Sequence, residues 1–280
     1  MITITALNVY PVKSCRGIAV ERAGLTPTGF SHDREWMIVT RDGRFVTQRE
    51  QPRLALIHTS LAANHLTLTA PAMPALQIPM LGTGSALMVS VWGDRCPAFD
   101  QGIEARRWLS SFLNDEYLLV RFDSTHKRAS SNDWTGDVQA LNQFSDGYPL
   151  LLLSQASLDD LNSRVGRTLP MNRFRPNIVV DGLPAYGEDR IFELISGGTR
   201  LRVVKPCTRC KITTTDQDTG EVDGAEPLQT LKGYRLSREL RGVIFGQNLI
   251  VIAGTGSELC RGQSFEHSAA KADRYVSRIG

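Results

Sequence analysis

The stretch Lys205-Pro206-Cys207-Thr208-Arg209-Cys210-Lys211-Ile212-Thr213-Thr214-Thr215-Asp216 decides the class of fold. A C-x-x-C redox pair of the thioredoxin type follows a strand and opens a helix. Here the second cysteine runs into Ile212-Thr213-Thr214-Thr215, a β-branched run that disfavours a helix start. The stretch therefore predicts a strand over Leu201–Val204, a cysteine-bearing connection and a further strand over Lys211–Thr215. Lys205, Arg209 and Lys211 surround the two thiols with positive charge, which raises the thiolate fraction. Thiolate ligates soft metals and attacks electrophiles. A structural zinc site needs four ligands, usually as two such pairs, and Cys15, Cys96 and Cys260 are scattered. A single thiolate ligand to a cofactor-bound metal fits better. A redox pair, or one ligand beside a small core cysteine, stays open.

Outward from this stretch the chain continues as short strands. They are expected over Ile2–Val12, Trp36–Thr40, Leu54–Thr59, Leu66–Leu68, Leu76–Ile78 and Ala86–Val91. Asp42-Gly43 marks a hairpin. Further strands are expected over Pro149–Leu153, Asn177–Val180, Ile191–Leu194 and Asn248–Ala253. Helices interrupt them at 101–113, capped by Asp100, at 155–165, opened by Ser154, and at Leu228–Tyr234. The polar run Ser124–Gly136 reads as a loop or domain junction. The class is mainly β with α insertions (α+β), barrel-like.

The 280 residues suffice for one large or two modest domains, and 41% hydrophobic residues allow a sizeable core. A net charge of +3 is too small to argue for nucleic acid. No secretory leader and no apolar run of transmembrane length is evident, so a cytoplasmic, reducing setting is expected.

Four further clusters carry polar chemistry. Lys13-Ser14, followed by Arg16-Gly17, ends the first strand, as a phosphate grip or a plain hairpin turn. His32-Asp33-Arg34 and Thr47-Gln48-Arg49 flank the next hairpin, either as ligand donors or as paired surface charge. Asn172-Arg173-Phe174-Arg175-Pro176-Asn177 gathers two arginines and two amides about a turn, which suits an anionic ligand with a polar heterocycle. Phe245-Gly246-Gln247-Asn248 reads as a tight turn into a strand. His126 and His267 show no metal spacing and read as surface residues. Asp218-Thr219-Gly220 reads as a turn rather than an acid catalyst.

Tyr10-Pro11-Val12-Lys13-Ser14, Asp33-Arg34, Phe174-Arg175-Pro176-Asn177, Lys205–Cys210 with Thr213-Thr214, and Phe245–Asn248 together resemble the MOSC superfamily. Within it they are most similar to the bacterial YcbX-like proteins and the mitochondrial amidoxime-reducing components. The resemblance covers residues 1 to about 265. It implies a β-rich MOSC-associated domain over 1–118, packed on a MOSC β-barrel over 119–266, with a tail over 267–280. It implies a molybdenum cofactor (molybdenum–molybdopterin) between the two, with Cys210 as metal ligand and catalytic residue and Cys207 as its neighbour. Lys13, Ser14 and Arg34 are expected on the cofactor phosphate, and Arg175 and Asn177 on the pterin. Arg173, Thr208, Arg209, Gln247 and Asn248 complete the expected cofactor contacts. The implied activity is reduction of hydroxylamines, amidoximes and N-hydroxylated bases by oxygen-atom transfer to Mo(IV). The alternatives are a cofactor carrier or sulfur-transfer protein, and a non-enzymatic phosphate-ligand binding module. The chain lacks the C-x₄-C-x₂-C iron–sulfur pattern of longer relatives. Electrons are therefore expected from a separate donor protein of ferredoxin-like, flavin or cytochrome type. Arg261-Gly262-Gln263 stands where the family usually has Gly-Asp.

Overall fold

The computed structural model describes residues 1–81 and 84–269. Strand β1, Ile2–Val9, turns Ile2 and Ile4 and then Leu7 and Val9 into one core. The change of phase comes from a β-bulge between Ile4 and Ala6, because one extra residue reverses the alternation of a strand. Six more strands share that core: β2 (Leu150–Ser154), β3 (Ile178–Asp181), β4 (Ile191–Ser196), β5 (Thr199–Thr208), β6 (Gly242–Ala253) and β7 (Ser264–Ala269). They pair in the order β2-β3-β1-β7-β4-β5-β6, and β6 returns to β2 to close a barrel. Closure leaves these strands without free edges. Only β2 and β3 run parallel. The helix Gln155–Val165 makes the crossover between them, and Ser154 Oγ caps it by accepting from Ser157 N at 3.1 Å.

The segment between β1 and β2 folds as a second layer. Its main sheet runs Trp36–Thr40, Tyr117–Phe122, Asp94–Asp100, Ala86–Val91. The helix Ile103–Leu113 packs its Trp108, Leu109 and Phe112 stripe into the adjoining core. The chain leaving β1 joins the two layers, since Val12 bridges to Trp36 and Lys13 N donates to Trp36 O at 2.8 Å.

Several expectations need correction. Lys211–Thr214 is a 3₁₀ turn, not a strand. Thr213 Oγ1 donates to Cys210 O at 3.0 Å and Thr214 Oγ1 to Lys211 O at 2.8 Å. Such local bonds outcompete a strand ladder. Phe245–Asn248 is not a turn but the interior of β6, where Gly246 adopts φ +80 within a bulge opposite Cys207. Pro52 opens a 3₁₀ turn over Pro52–Leu56, so the strand expected from Leu54 begins at His58. Asp100 does not occupy the cap position of its helix. Gly102 does, while Asp100 accepts from Gly102 N and pairs with Arg106. Arg128–Ala129 and Asn132–Thr135 form short elements within the expected loop 124–136. The strand β7 extends three residues into the expected tail, whose remainder from 270 lies outside the described residues. At the departure from the family pattern, Gln263 Oε1 accepts the Cys260 N–H at 3.0 Å.

Candidate functional site

A cleft of about 130 Å³ opens where the Tyr10–Cys15 turn meets the mouths of β2 and β3 and the end of β5. Four cations, Lys13, Arg34, Arg175 and Arg209, line it against one carboxylate, Asp146. Ser14, Arg34 and Arg175 hold positive φ (66, 51 and 56), rare for residues with a Cβ and concentrated at functional sites.

Tyr10 organises the cationic wall. The Arg34 and Arg175 guanidiniums lie 4.2 and 4.4 Å from its ring centroid. Burial pushes the Tyr10 phenol up to about 12, so it stays neutral, and its hydroxyl donates to Pro176 O at 3.1 Å. Arg34 is fixed by Asp33 and by Asn177 Oδ1 at 3.0 Å. Asn177 is fully engaged. Its Oδ1 also accepts from Leu151 N at 3.2 Å, and its Nδ2 donates to Asn8 O and Asp33 Oδ1 at 3.1 and 3.0 Å. It lines the cleft with its amide committed to Arg34, Asp33 and the backbone.

Lys13 Nζ donates to Phe144 O at 2.7 Å and pairs with Asp146. Burial pulls the Lys13 ammonium below its ordinary value, against the opposing pull of Asp146. Desolvation lowers the Arg175 guanidinium to about 10. Its Nη2 has no partner among the described residues, and neither does Arg209 Nε. Arg209 Nη1 donates to Cys207 Sγ at 3.0 Å and its Nη2 to Phe174 O at 2.6 Å. Cys207 is thereby engaged, and the half-buried Cys210 lines the cleft beside it. Thr208 and Asn248 share that wall, and Asn248 Nδ2 donates to Lys205 O at 3.1 Å.

Two expected contacts sit elsewhere. Arg173 is buried behind the Cys210 turn, where it pairs with Asp216 and Asp223 at 2.9 and 3.0 Å. Gln247 faces away into another cavity. Residues that the sequence reading passed over include Asp146 and Tyr148 in the cleft, and Trp92 in an adjoining chamber of about 300 Å³ that reaches Cys207 and Cys210. Arg49 stacks on Trp92 at 4.4 Å, and Trp92 Nε1 donates to Asp146 Oδ1 at 3.0 Å. The Asp146-Gly147 turn before β2 was the available signal for that loop.

Among the described residues no group of three or more His, Cys, Asp or Glu side chains is placed to hold a metal, and no helix is long and apolar enough to cross a membrane.

Family models match over both layers: the MOSC N-terminal beta barrel domain over residues 1–116 and the MOSC domain over residues 140–257. The mitochondrial amidoxime-reducing component 1 of Mus musculus is 39% identical over 88% of this chain and 75% of its own length. The mitochondrial amidoxime reducing component 2 of Bos taurus is 39% identical over 84% of this chain and 72% of its own. Component 1 of Homo sapiens is 38% identical over 89% and 78%. Identity at this level over most of both chains, with the two domain matches in order, means that the chain belongs to the MOSC family that includes the amidoxime-reducing components.

Proposed function

We propose that the cleft holds a molybdenum–molybdopterin cofactor with Cys210 as protein ligand to the metal, and that the protein is an oxidoreductase acting on N-hydroxylated compounds. The observation that carries this reading is a cationic cleft closing on two half-buried cysteines, of which Cys207 is already bound by Arg209. Lys13, Ser14 and Arg34 would take the phosphate. Arg175 and Arg209 each keep a buried N–H without an acceptor. Leaving such a donor unmet costs about 1–3 kcal/mol, so both fit a polar, anionic occupant. Thr208 and Asn248 would border the pterin.

Bound there, the group would supply two-electron oxygen-atom transfer, with soft sulfur ligation suited to molybdenum. The net reaction takes an N–OH compound, two electrons and two protons to the N–H compound and water. The chain's own residues position and shield. Arg209 engages the Cys207 sulfur, which leaves Cys210 for the metal. The chamber walled by Trp92, Arg49 and Tyr148 offers a flat substrate a place beside Cys210, which favours a reductase over a carrier. Amidoximes are the substrate class, by analogy with the named activity of the relatives. Electrons would come from a separate donor protein. Five free cysteines suit a reducing compartment such as the cytoplasm.

Metal and pterin analysis of protein from a cofactor-producing host tests the assignment. Wild type and Cys207→Ala should carry near-stoichiometric molybdenum and pterin, and Cys210→Ala should lose the metal. Equal loss in both variants would sink the single-ligand assignment. Absence of both molybdenum and pterin from wild type would overturn the cofactor itself.

A further inference from the structure

Gln247 points to a second site. Its neighbour Asn248 borders the cofactor cleft, while Gln247 lines a separate cavity of about 430 Å³ that shares no lining residue with that cleft. Trp134, Tyr186, Leu240 and Ile244 give it apolar walls. The volume falls within the range of small-molecule pockets, roughly 300–1,000 Å³.

Two buried side chains supply its polar features. Gln247 is 1% exposed and Arg235 is 5% exposed. Asp189 sits between them, accepting from Gln247 Nε2 at 2.6 Å and pairing with Arg235 Nη1 at 2.7 Å. A carboxylate only accepts, so it fixes the amide with nitrogen inward. Gln247 Oε1 is left over. Arg235 Nε donates to Ile244 O at 3.3 Å, which leaves Nη2 over. Neither Oε1 nor Nη2 has a partner among the described residues. Two residues of the cavity wall therefore keep one buried spare acceptor and one buried spare donor, both side chains being held by the same carboxylate.

The lining charges balance, with Arg190 and Arg235 against Asp189 and Glu239. An anion would meet Asp189 and the Gln247 oxygen. A cation would meet Arg235. The complement is a neutral body with an acceptor beside a donor. We infer that this cavity is a second ligand site for a flat, neutral molecule bearing a carboxamide or lactam edge. Its acceptor would take the Arg235 N–H, and its donor would meet the Gln247 oxygen.

Benzamide is the probe, with benzoate and benzamidine as controls of the same shape and opposite charges. Binding to the full-length protein is read by ligand-observed NMR titration, with and without the molybdenum cofactor loaded. The cavity does not depend on the cofactor assignment, so benzamide should bind both preparations. Benzamide should bind saturably and about tenfold more tightly than either control, the scale of one hydrogen bond to a buried polar group. Ala185→Trp, at an exposed position on the cavity wall, should abolish binding without disturbing the core. Gln247→Met should weaken it about tenfold. Absence of saturable benzamide binding, equal binding of all three probes, or binding indifferent to Ala185→Trp would each overturn the inference.

Discussion

Arg175 carries its charge where water reaches it poorly, and desolvation lowers its guanidinium to about 10. Lys13 is displaced the same way, by burial, against the pull of Asp146. Both groups therefore lose protons at a lower pH than solvent-exposed Arg and Lys. The cleft sheds positive charge as pH rises through about 10, and anion affinity should fall with it. Sulfate is the suitable probe, because its own charge is fixed over this range. Its affinity by calorimetry should weaken steadily on going from neutral pH toward pH 10. Arg175→Met should bind sulfate more weakly near neutrality and show a flatter pH dependence. A wild-type affinity unchanged across that range would show that neither cation contacts the anion. The cations themselves were legible in the sequence, since Lys13, Arg34 and Arg175 stand in short polar words at strand ends. Their division of labour was not. Asn177 resembles a ligand contact in sequence, yet all four of its amide bonding positions are taken by the protein. That follows from which chains meet around it, and no local pattern encodes the meeting.

The cysteine turn and the bulge opposite it form one unit. Lys211–Thr214 coils because threonine hydroxyls bond back three residues, and β6 bulges at Gly246 to oppose Cys207 with two residues. Beyond the bulge, the ordinary alternation of a strand puts Gln247 and Asn248 at different cavities. A Cβ at Gly246 would meet Leu152 O at 2.8 Å while the backbone holds φ +80. Gly246→Ala should therefore cost about 2 kcal/mol, from backbone strain of this kind. Urea unfolding would measure it, and sulfate affinity should drop in parallel as the wall of the cleft shifts. A loss within a few tenths of a kcal/mol would mean that β6 relaxes without its bulge. Here the sequence misled in both directions. A β-branched run looked extended and folded as a turn, and a glycine word looked like a turn and lies inside a strand. Helix limits were more legible. Ser154 caps the crossover helix as its hydroxyl suggested, and the apolar stripe of Ile103–Leu113 faces its core.

At the scale of the molecule, β1 belongs by sequence to the segment matched by the N-terminal family model and by pairing to the barrel. It lies between β3 and β7, and Ile2, Ile4, Leu7 and Val9 fill the shared core. β-content and short strands announced a barrel, but nothing local in Ile2–Val9 reveals that its partners lie some 170 and 260 residues away. Remove β1, and β3 and β7 become open edges over an exposed apolar interior. Each of its four core side chains contributes roughly 1.5–3 kcal/mol on burial, so the loss approaches the whole stability of an ordinary domain. A fragment spanning 124–280 should therefore show no cooperative thermal transition by circular dichroism and should bind a hydrophobic dye. Supplying residues 1–123 as a second chain should restore the transition, because the missing stave returns with the sheet that ends at Phe122. Residues 1–123 carrying Ile4→Asp and Leu7→Asp should fail to restore it, since charge cannot enter the barrel core. A cooperative melt of 124–280 alone would show that six staves close without the seventh, and would detach the site on the Tyr10–Cys15 turn from the stability of the barrel.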